Sequence, residues 1–220
     1  MNRIVTVLEA LGMLACLGLL LRGFQELGFA QGWWGLFWCL LALPMGYYCA
    51  DLLSGLIHWV CDSFGDSHTP LWGPMLVAPF RRHHKSPGDI TQISLTENLG
   101  SSAIAGAVVL WLWSPDFARP ASNGVLLARL VGLWCVAFAV LSNRFHRWAH
   151  LPTARRPRWM QRLQHWRIIL RPQTHALHHR KPHRGNYCIL SGWANPLCNR
   201  VPWARVEAGL LRLGIRTNFD

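Results

Sequence analysis

Four apolar stretches, some ending close to groups of histidines, constrain this chain more than any other feature. They lie at about residues 4–21, 33–58, 99–114 and 123–142. A helix crosses a bilayer with about 20 apolar residues, so the third stretch is marginal and could be re-entrant. The first stretch is longer than a typical signal-peptide core, and we interpret it as a retained span. The pattern predicts an all-α, integral-membrane protein built on a four-helix bundle.

The charge of the chain is strongly basic and unevenly placed. The net charge is +12, and fifteen of the twenty-two Lys and Arg residues lie from Asn143 onward. Such a region could bind nucleic acid or an anionic membrane surface. Because the preceding chain is apolar, we favour the membrane and expect no nucleic-acid partner.

Basic residues also predict the orientation of the spans. With four spans, residues 1–3, 59–98 and 143–220 share one side of the membrane and carry nineteen Lys and Arg, against two on the loops of the other side. The positive-inside rule makes the first side cytoplasmic. The histidine clusters fall on that side or at its boundary, so we expect a histidine-rich helical cap and the C-terminus there.

The histidine clusters have spacings that helical geometry can interpret. They are His83–His84, His146 with His150, and His175 with His178 and His179, and a further element is His58 with Asp62. Residues four apart share a helix face, so His146 and His150 point the same way, as do His58 and Asp62. The adjacent pair diverges by about 100°, so it could serve two metals or one of its rings could turn away. The last cluster could present three imidazoles to one point.

Two further helical patterns accompany these clusters. Asp51, His58 and Asp62 form a polar stripe on an apolar helix, and in lipid such a stripe must face the protein interior. Apolar residues recur with helical spacing from Trp159 to Leu170 among arginines, which predicts an interfacial amphipathic helix or an ordinary packed helix.

About eight imidazoles could hold two metal ions at roughly four ligands each. Ligand type alone permits Fe, Zn, Cu or Ni, but catalytic zinc commonly uses three protein ligands, which leaves too many histidines for one zinc. Two irons fit the count, and such a pair could activate dioxygen and remove hydrogen from an unactivated C–H bond. A zinc membrane hydrolase, a metal transporter and a haem protein remain as alternatives.

Several runs in this order resemble the plasmanylethanolamine desaturase (Kua/CarF) family of lipid desaturases. The runs are Asp51–Asp62, Pro79–Pro87, Thr96–Gly100, Asn143–His150, His175–His183, Tyr187–Ile189 and Gly192–Asn195. The resemblance covers about residues 44–200 and defines a lipid desaturase domain there. Two segments lie outside the resemblance. Residues 1–43 contain the first span and the start of the second, and residues 201–220 form a basic C-terminal tail.

The resemblance implies an O2-dependent, di-iron oxidoreductase of the membrane. Family members convert the alkyl ether chain of a glycerophospholipid to a vinyl ether (plasmanyl to plasmenyl, the plasmalogen-forming step), and plastid relatives desaturate an acyl chain instead. The implied partners are a membrane phospholipid substrate and an external electron donor such as cytochrome b5 or a ferredoxin. A di-iron hydroxylase could use the same ligands.

Carried over by motif, the implied metal site comprises ten residues: His58, Asp62, His83, His84, His146, His150, His175, His178, His179 and His183. Of these, Asp62 and His183 could instead orient an imidazole. Asn98 and Asn143 are weaker polar candidates. The chain departs from the family pattern at His165 and at Thr174, which puts both positions in doubt as site residues.

Overall fold

The computed structural model describes residues 3–70, 73–119 and 122–215, and within them all regular structure is helical and no β-strand occurs. This confirms the predicted all-α class. Residues 1–2, which begin the predicted N-terminal segment, lie outside the described residues. The same holds for residues 216–220, which end the predicted tail. The α-helices are α1 (Arg3–Leu27), α2 (Gly32–Ser63), α3 (Ala78–Lys85), α4 (Leu95–Trp113), α5 (Asn123–His150), α6 (Arg158–His165), α7 (Pro172–His178), α8 (Asn195–Cys198) and α9 (Trp203–Arg212).

Three helical stretches are long and apolar enough to cross a membrane, namely Arg3–Ser63, Leu95–Asp116 and Asn123–His150. The first contains both α1 and α2, joined by a short 3₁₀ turn. Each helix runs further than the apolar stretch that predicted it, because the helical backbone continues into polar residues. The third stretch, expected to be short at 99–114, lies within the 22-residue helical segment Leu95–Asp116, of which α4 forms the first 19 residues.

The chain forms two compact units. The first comprises residues up to Ala50 together with Ser94–Arg144. Its apolar core draws on α1, α2, α4 and α5, through buried residues that include Cys16, Ala42, Leu110 and Leu130. The opposite faces of these helices are apolar and exposed. Leu14, Leu40 and Leu112 are 60–67% exposed, as side chains that contact lipid would be.

Small residues let the helices of the first unit approach closely. A Cβ on Gly12 of α1 would lie 2.3 Å from the Ile104 side chain of α4, and one on Gly46 of α2 would lie 2.4 Å from Cβ of Trp134 in α5. An acidic residue of α1 is also turned inward, since Glu9 is 6% exposed and packs on Gly100 of α4. This inward placement agrees with the high cost of a carboxylate in lipid.

The second unit comprises Asp51–Ile93 and the chain from Phe145 onward. Short helices and turns here enclose two small apolar clusters, one containing Cys61, Leu170 and Ile189 and the other containing Tyr187 and Trp203. Trp203 and Glu207 of α9 are buried, so one face of this helix packs within the second unit. The predicted boundaries at residues 43/44 and 200/201 stay predictions.

The amphipathic helix expected over residues 159–170 is shorter than predicted. Helix α6 ends at His165, and Arg167 adopts a left-handed backbone with φ 59°. The amide of Ile168 then donates to the carbonyl of Leu163, which closes the helix end. Beyond this turn Leu170 is fully buried and its amide donates to the carbonyl of Leu190, so its apolar character serves the core.

Candidate metal centre

The structure gathers the implied metal ligands into two groups within the second unit. One group contains five imidazoles, those of His83, His146, His150, His175 and His179. The other contains three imidazoles and a carboxylate, those of His58, Asp62, His84 and His178. In each group the donor atoms lie within 4.8 Å of one another. Nine of the ten implied ligands are therefore brought together in two sets.

Helical spacing explains which residues share a group. His146 and His150 leave the same face of α5 and join the five-histidine group, while His58 and Asp62 leave one face of α2 and join the other. In both cases a separation of four residues superposes the two side chains, as predicted.

Consecutive histidines are divided between the groups. His83 and His84 at the end of α3 point about 100° apart, and each joins a different group. The same holds for His178 and His179 at the end of α7. The expectation that the last cluster presents three imidazoles to one point is therefore wrong, because His175 and His179 share a face and His178 is turned away from it.

Within the five-histidine group the Nε2 atoms face one another at short range. His146 Nε2 lies 2.8 Å from His175 Nε2 and 3.3 Å from His150 Nε2, and His179 Nε2 lies 3.0 Å from His175 Nε2. With metal–nitrogen bonds of about 2.1 Å, neighbouring ligand nitrogens around one ion are about 3.0–3.4 Å apart. The observed separations are close to that range.

In the other group the carboxylate of Asp62 lies among three imidazoles. Its Oδ2 is 3.4 Å from Nε2 of both His58 and His178, and 3.7 Å from Nε2 of His84. The Nε2 atoms of His84 and His178 are 2.9 Å apart. Carboxylate and imidazole together form a donor set typical of transition-metal sites.

Backbone carbonyls fix the orientation of two key rings. His58 Nδ1 lies 2.9 Å from the Tyr187 carbonyl oxygen and His178 Nδ1 lies 3.0 Å from that of Gly185. When Nδ1–H donates to a carbonyl, the proton is on Nδ1 and the lone pair of Nε2 is free for a metal. The segment 185–187 therefore selects the tautomer of two imidazoles in the same group.

Burial keeps the imidazoles of the short helices neutral. Loss of solvent, with smaller contributions from neighbouring imidazoles, lowers the pKa of His84 to about 2 and that of His179 to about 3. The same causes hold the pKa values of His83 and His175 well below the ordinary histidine value. A neutral imidazole is the form that binds a metal.

Several nitrogen and oxygen atoms of the two groups are buried without a hydrogen-bond partner among the described residues. They are Nε2 of His58, Nε2 of His83, Nδ1 of His175 and both carboxylate oxygens of Asp62. Buried polar atoms in folded proteins are nearly always paired, so a cluster of unpaired ones calls for an explanation. Metal ions bound to the two groups would satisfy the Nε2 and carboxylate atoms, and the donor set fits such ions.

Some expected positions lie outside both groups. His183 packs its ring on that of His84, with centroids 4.7 Å apart, and its Nδ1 lies 3.3 Å from the His178 carbonyl oxygen. Asn98 donates to the Asn143 carbonyl in the first unit. His165 is exposed at the end of α6. His183 therefore contacts two members of the second group, His84 and His178.

The role of Asp51 was not foreseen from the sequence. This fully buried carboxylate accepts backbone N–H bonds from Leu190, Ser191 and Gly192 through Oδ1 and from Ala194 through Oδ2, at 2.8–3.1 Å. It thereby anchors the loop that follows the carbonyls holding His58 and His178. The polar stripe on α2 signalled an inward-facing Asp51, but its partners lie about 140 residues further along the chain.

Comparison with known proteins identifies the family of this chain. A family model described as a lipid desaturase domain matches residues 47–215. The chain belongs to the lipid desaturase family.

Among curated proteins, plasmanylethanolamine desaturase 1 of Mus musculus is 30% identical over 203 residues, which cover 90% of this chain and 74% of the mouse protein. Plasmanylethanolamine desaturase of Myxococcus xanthus is 34% identical, over 72% of this chain and 55% of that protein. The chloroplastic fatty acid desaturase 4 of Arabidopsis thaliana is 37% identical, over 80% of this chain and 53% of the plant protein. The chain thus spans only about half of the bacterial and plant relatives. No solved structure matches significantly.

Proposed function

We propose that this chain is a membrane lipid desaturase that converts the alkyl ether chain of a glycerophospholipid to a vinyl ether at a pair of iron ions. Two groups of converging ligands, all buried or partly buried, carry this proposal: five imidazoles in one, three imidazoles and Asp62 in the other. Two adjacent metal sites suit dioxygen chemistry better than the single, three-ligand site common in hydrolytic zinc enzymes.

When bound, such irons supply the reduction of dioxygen and the removal of two hydrogens from adjacent carbons. Balance requires two electrons and two protons from outside, and two molecules of water are released. The protein itself contributes ligands that are already neutral and oriented. His183 acts as a positioning residue in this proposal, since its ring stacks on His84 and its Nδ1 lies beside the His178 carbonyl.

The same proposal includes the membrane arrangement. We propose that α1, α2, α4 and α5 cross the bilayer as a four-helix bundle and that the histidine groups and C-terminus lie on the cytoplasmic side. The exposed apolar faces of these helices and the basic residues from Asn143 onward support this orientation. An acidic electron donor of the cytochrome b5 or ferredoxin type would be attracted by the same basic surface.

Desaturation of an acyl chain is the second candidate. The 37% identity to a chloroplastic fatty acid desaturase favours it, whereas the wider coverage, 90% of this chain, favours the plasmanylethanolamine desaturases. Both reactions remove hydrogen from neighbouring carbons of a lipid chain, so the same metal groups would serve either.

Lipid mass spectrometry with acid treatment tests the reaction. Cells supplied with alkyl-ether lipid would express the wild type, His178→Ala, or the control His68→Ala, which removes an exposed histidine outside both groups. We expect an acid-labile product lighter by one H2 with the wild type and the control, and none with His178→Ala. A non-labile double bond in acyl chains would instead establish the second candidate. A product heavier by one oxygen would establish a hydroxylase.

Metal content tests the two-group centre separately from activity. We expect about two irons per wild-type chain in the purified protein. His146→Ala in the five-histidine group and His178→Ala in the other should each lower that content, and His68→Ala should leave it unchanged. Lipid turnover without oxygen or reductant, or a zinc-only protein that retains full activity, would overturn the proposal.

A further inference from the structure

The second unit contains an open cavity that the metal groups do not use. Its volume is about 450 Å³, within the usual size of small-ligand sites. Its walls include Arg167, Arg171, Asn195 and Trp193, and none of the described residues that line it is Asp or Glu. We propose that this cavity binds the phosphate group of a glycerophospholipid, an inference that rests on the proposed function for the identity of the lipid.

Two arginines give the cavity its charge. Arg167 and Arg171 both line it, and neither forms an ion pair with any carboxylate of the described residues. Their guanidinium groups are therefore available to an external anion. The arginine fork matches phosphate oxygens and binds them with charge-assisted hydrogen bonds.

A buried amide adds a second, independent sign of a polar ligand. Asn195 is 4% exposed, and its Oδ1 accepts the amide N–H of Cys188 at 3.1 Å. This bond assigns the orientation of the amide, because the other end must then be the donor. The Nδ2 of Asn195 has no partner among the described residues. A donor left unpaired in a cavity wall is suited to an oxygen of a bound anion.

A glycine of the adjacent loop lies against this unpaired donor. Gly192 lines the cavity with φ +84°, and a Cβ there would lie 3.0 Å from Asn195 Nδ2. A side chain at this position would therefore crowd the unpaired donor as well as strain the backbone. Asp51 lies behind the same loop, but its carboxylate already accepts four backbone N–H groups.

The cavity and the metal groups share the same short segments of chain. Thr174 lines the cavity and precedes His175 of the five-histidine group. Asn186 lines it between Gly185 and Tyr187, whose carbonyls hold His178 and His58. A headgroup bound here would contact residues next in sequence to those that orient the ligands. This placement suits a chain whose reacting carbons are close to the glycerol backbone, as they are in an alkyl ether.

Binding to the purified full-length protein in dodecyl maltoside tests the site without requiring activity. The probes are dihexanoyl phosphatidylethanolamine, dihexanoylglycerol, which lacks the phosphate, and inorganic phosphate, each titrated by calorimetry. We expect the phospholipid to bind measurably and the neutral lipid to bind at least about tenfold more weakly, since a charge-assisted hydrogen bond is worth about one decade in affinity.

Two variants and one control complete the design. Arg171→Gln removes a cavity charge, and Asn195→Asp keeps the acceptor for Cys188 but replaces the donor by an oxygen that repels an anion. Each should weaken phospholipid binding by about tenfold. Arg162→Gln removes an equally basic, exposed residue of α6 outside the cavity and should change nothing.

The outcomes separate this inference from the proposed function. Unchanged phospholipid affinity in both cavity variants would overturn the site even if the protein is an active desaturase. Equal affinity for inorganic phosphate and phospholipid, lost in both variants, would overturn the lipid assignment. With active enzyme, we expect Arg171→Gln to raise KM for the ether phospholipid about tenfold with little change in kcat, and a fall in kcat alone would contradict a binding role.

Discussion

Replacing Asp51 by asparagine should destabilise the protein and disturb its metal centre at once. Asp51 is fully buried and holds four backbone N–H groups of the segment 190–194. In Asp51→Asn the single remaining oxygen can serve the three donors now bound to Oδ1. The new NH2 group must then face the amide N–H of Ala194, so two hydrogen-bond donors meet and the bond to Ala194 is lost.

The magnitude follows from these four bonds. A hydrogen bond to a charged group contributes about 1.5–3 kcal/mol and a neutral one about 0.5–1.5 kcal/mol. One charge-assisted bond is lost and three are weakened by about 1 kcal/mol each, a total near 5 kcal/mol. Relief from burying a charge offsets part of this cost. We expect a net loss of roughly 3 kcal/mol in the free energy of unfolding.

Unfolding in mixed micelles of dodecyl maltoside and sodium dodecyl sulfate, followed by tryptophan fluorescence, measures this loss. The matched control is Asp89→Asn, the same chemical change at an exposed aspartate, which should leave stability unchanged. Iron content should fall in Asp51→Asn because the anchored loop follows the carbonyls of Gly185 and Tyr187. A stability change below about 0.5 kcal/mol would refute the reasoning about the buried acceptor.

Three further outcomes are expected. Gly46→Ala should lower the free energy of unfolding by about 1–3 kcal/mol, because its Cβ would lie 2.4 Å from Cβ of Trp134, and fluorescence unfolding beside wild type would show it. Metal-stripped protein should lose stability as the pH falls below about 6.5. The histidines of the unfolded chain gain protons there, whereas His84 and His179 in the folded protein, with pKa values near 2 and 3, do not. A thermal-denaturation midpoint that stays constant from pH 7 to 5 would contradict this. Glu207→Ala should lower the free energy of unfolding by about 2–4 kcal/mol, because the Trp59 indole N–H and the partly exposed Arg184 guanidinium lose this partner. Glu207→Gln should recover part of the loss.

Features set by local helical geometry were predictable from the sequence. The shared faces of His146 with His150 and of His58 with Asp62 follow from a separation of four residues, and the structure has both. The divergence of His83 from His84 follows from the 100° step between neighbours. The helical class was also predictable, because the apolar stretches that indicated it depend on residues close together in the chain.

Features that depend on distant partners were not predictable. Spacing suggested that His175, His178 and His179 meet at one point, but α2 and α3 supply the partners that draw His178 into the other group. The amphipathic pattern continued to Leu170, whereas the backbone turns at Arg167 because Leu170 belongs to a core completed by a later segment. Single-sequence periodicity contains no information about such contacts.

The divided histidine pairs imply that the two proposed metal sites are thermodynamically linked. His83 and His84 share one peptide bond, as do His178 and His179, and each pair contributes to both groups. An ion bound in one group therefore fixes the backbone that presents ligands to the other group. The second ion then binds without the entropy cost of ordering that backbone. Loading should be cooperative, with a sigmoidal metal titration and few singly occupied molecules. In a cell short of metal, scarcity would then reduce the number of working enzymes rather than the rate of each one.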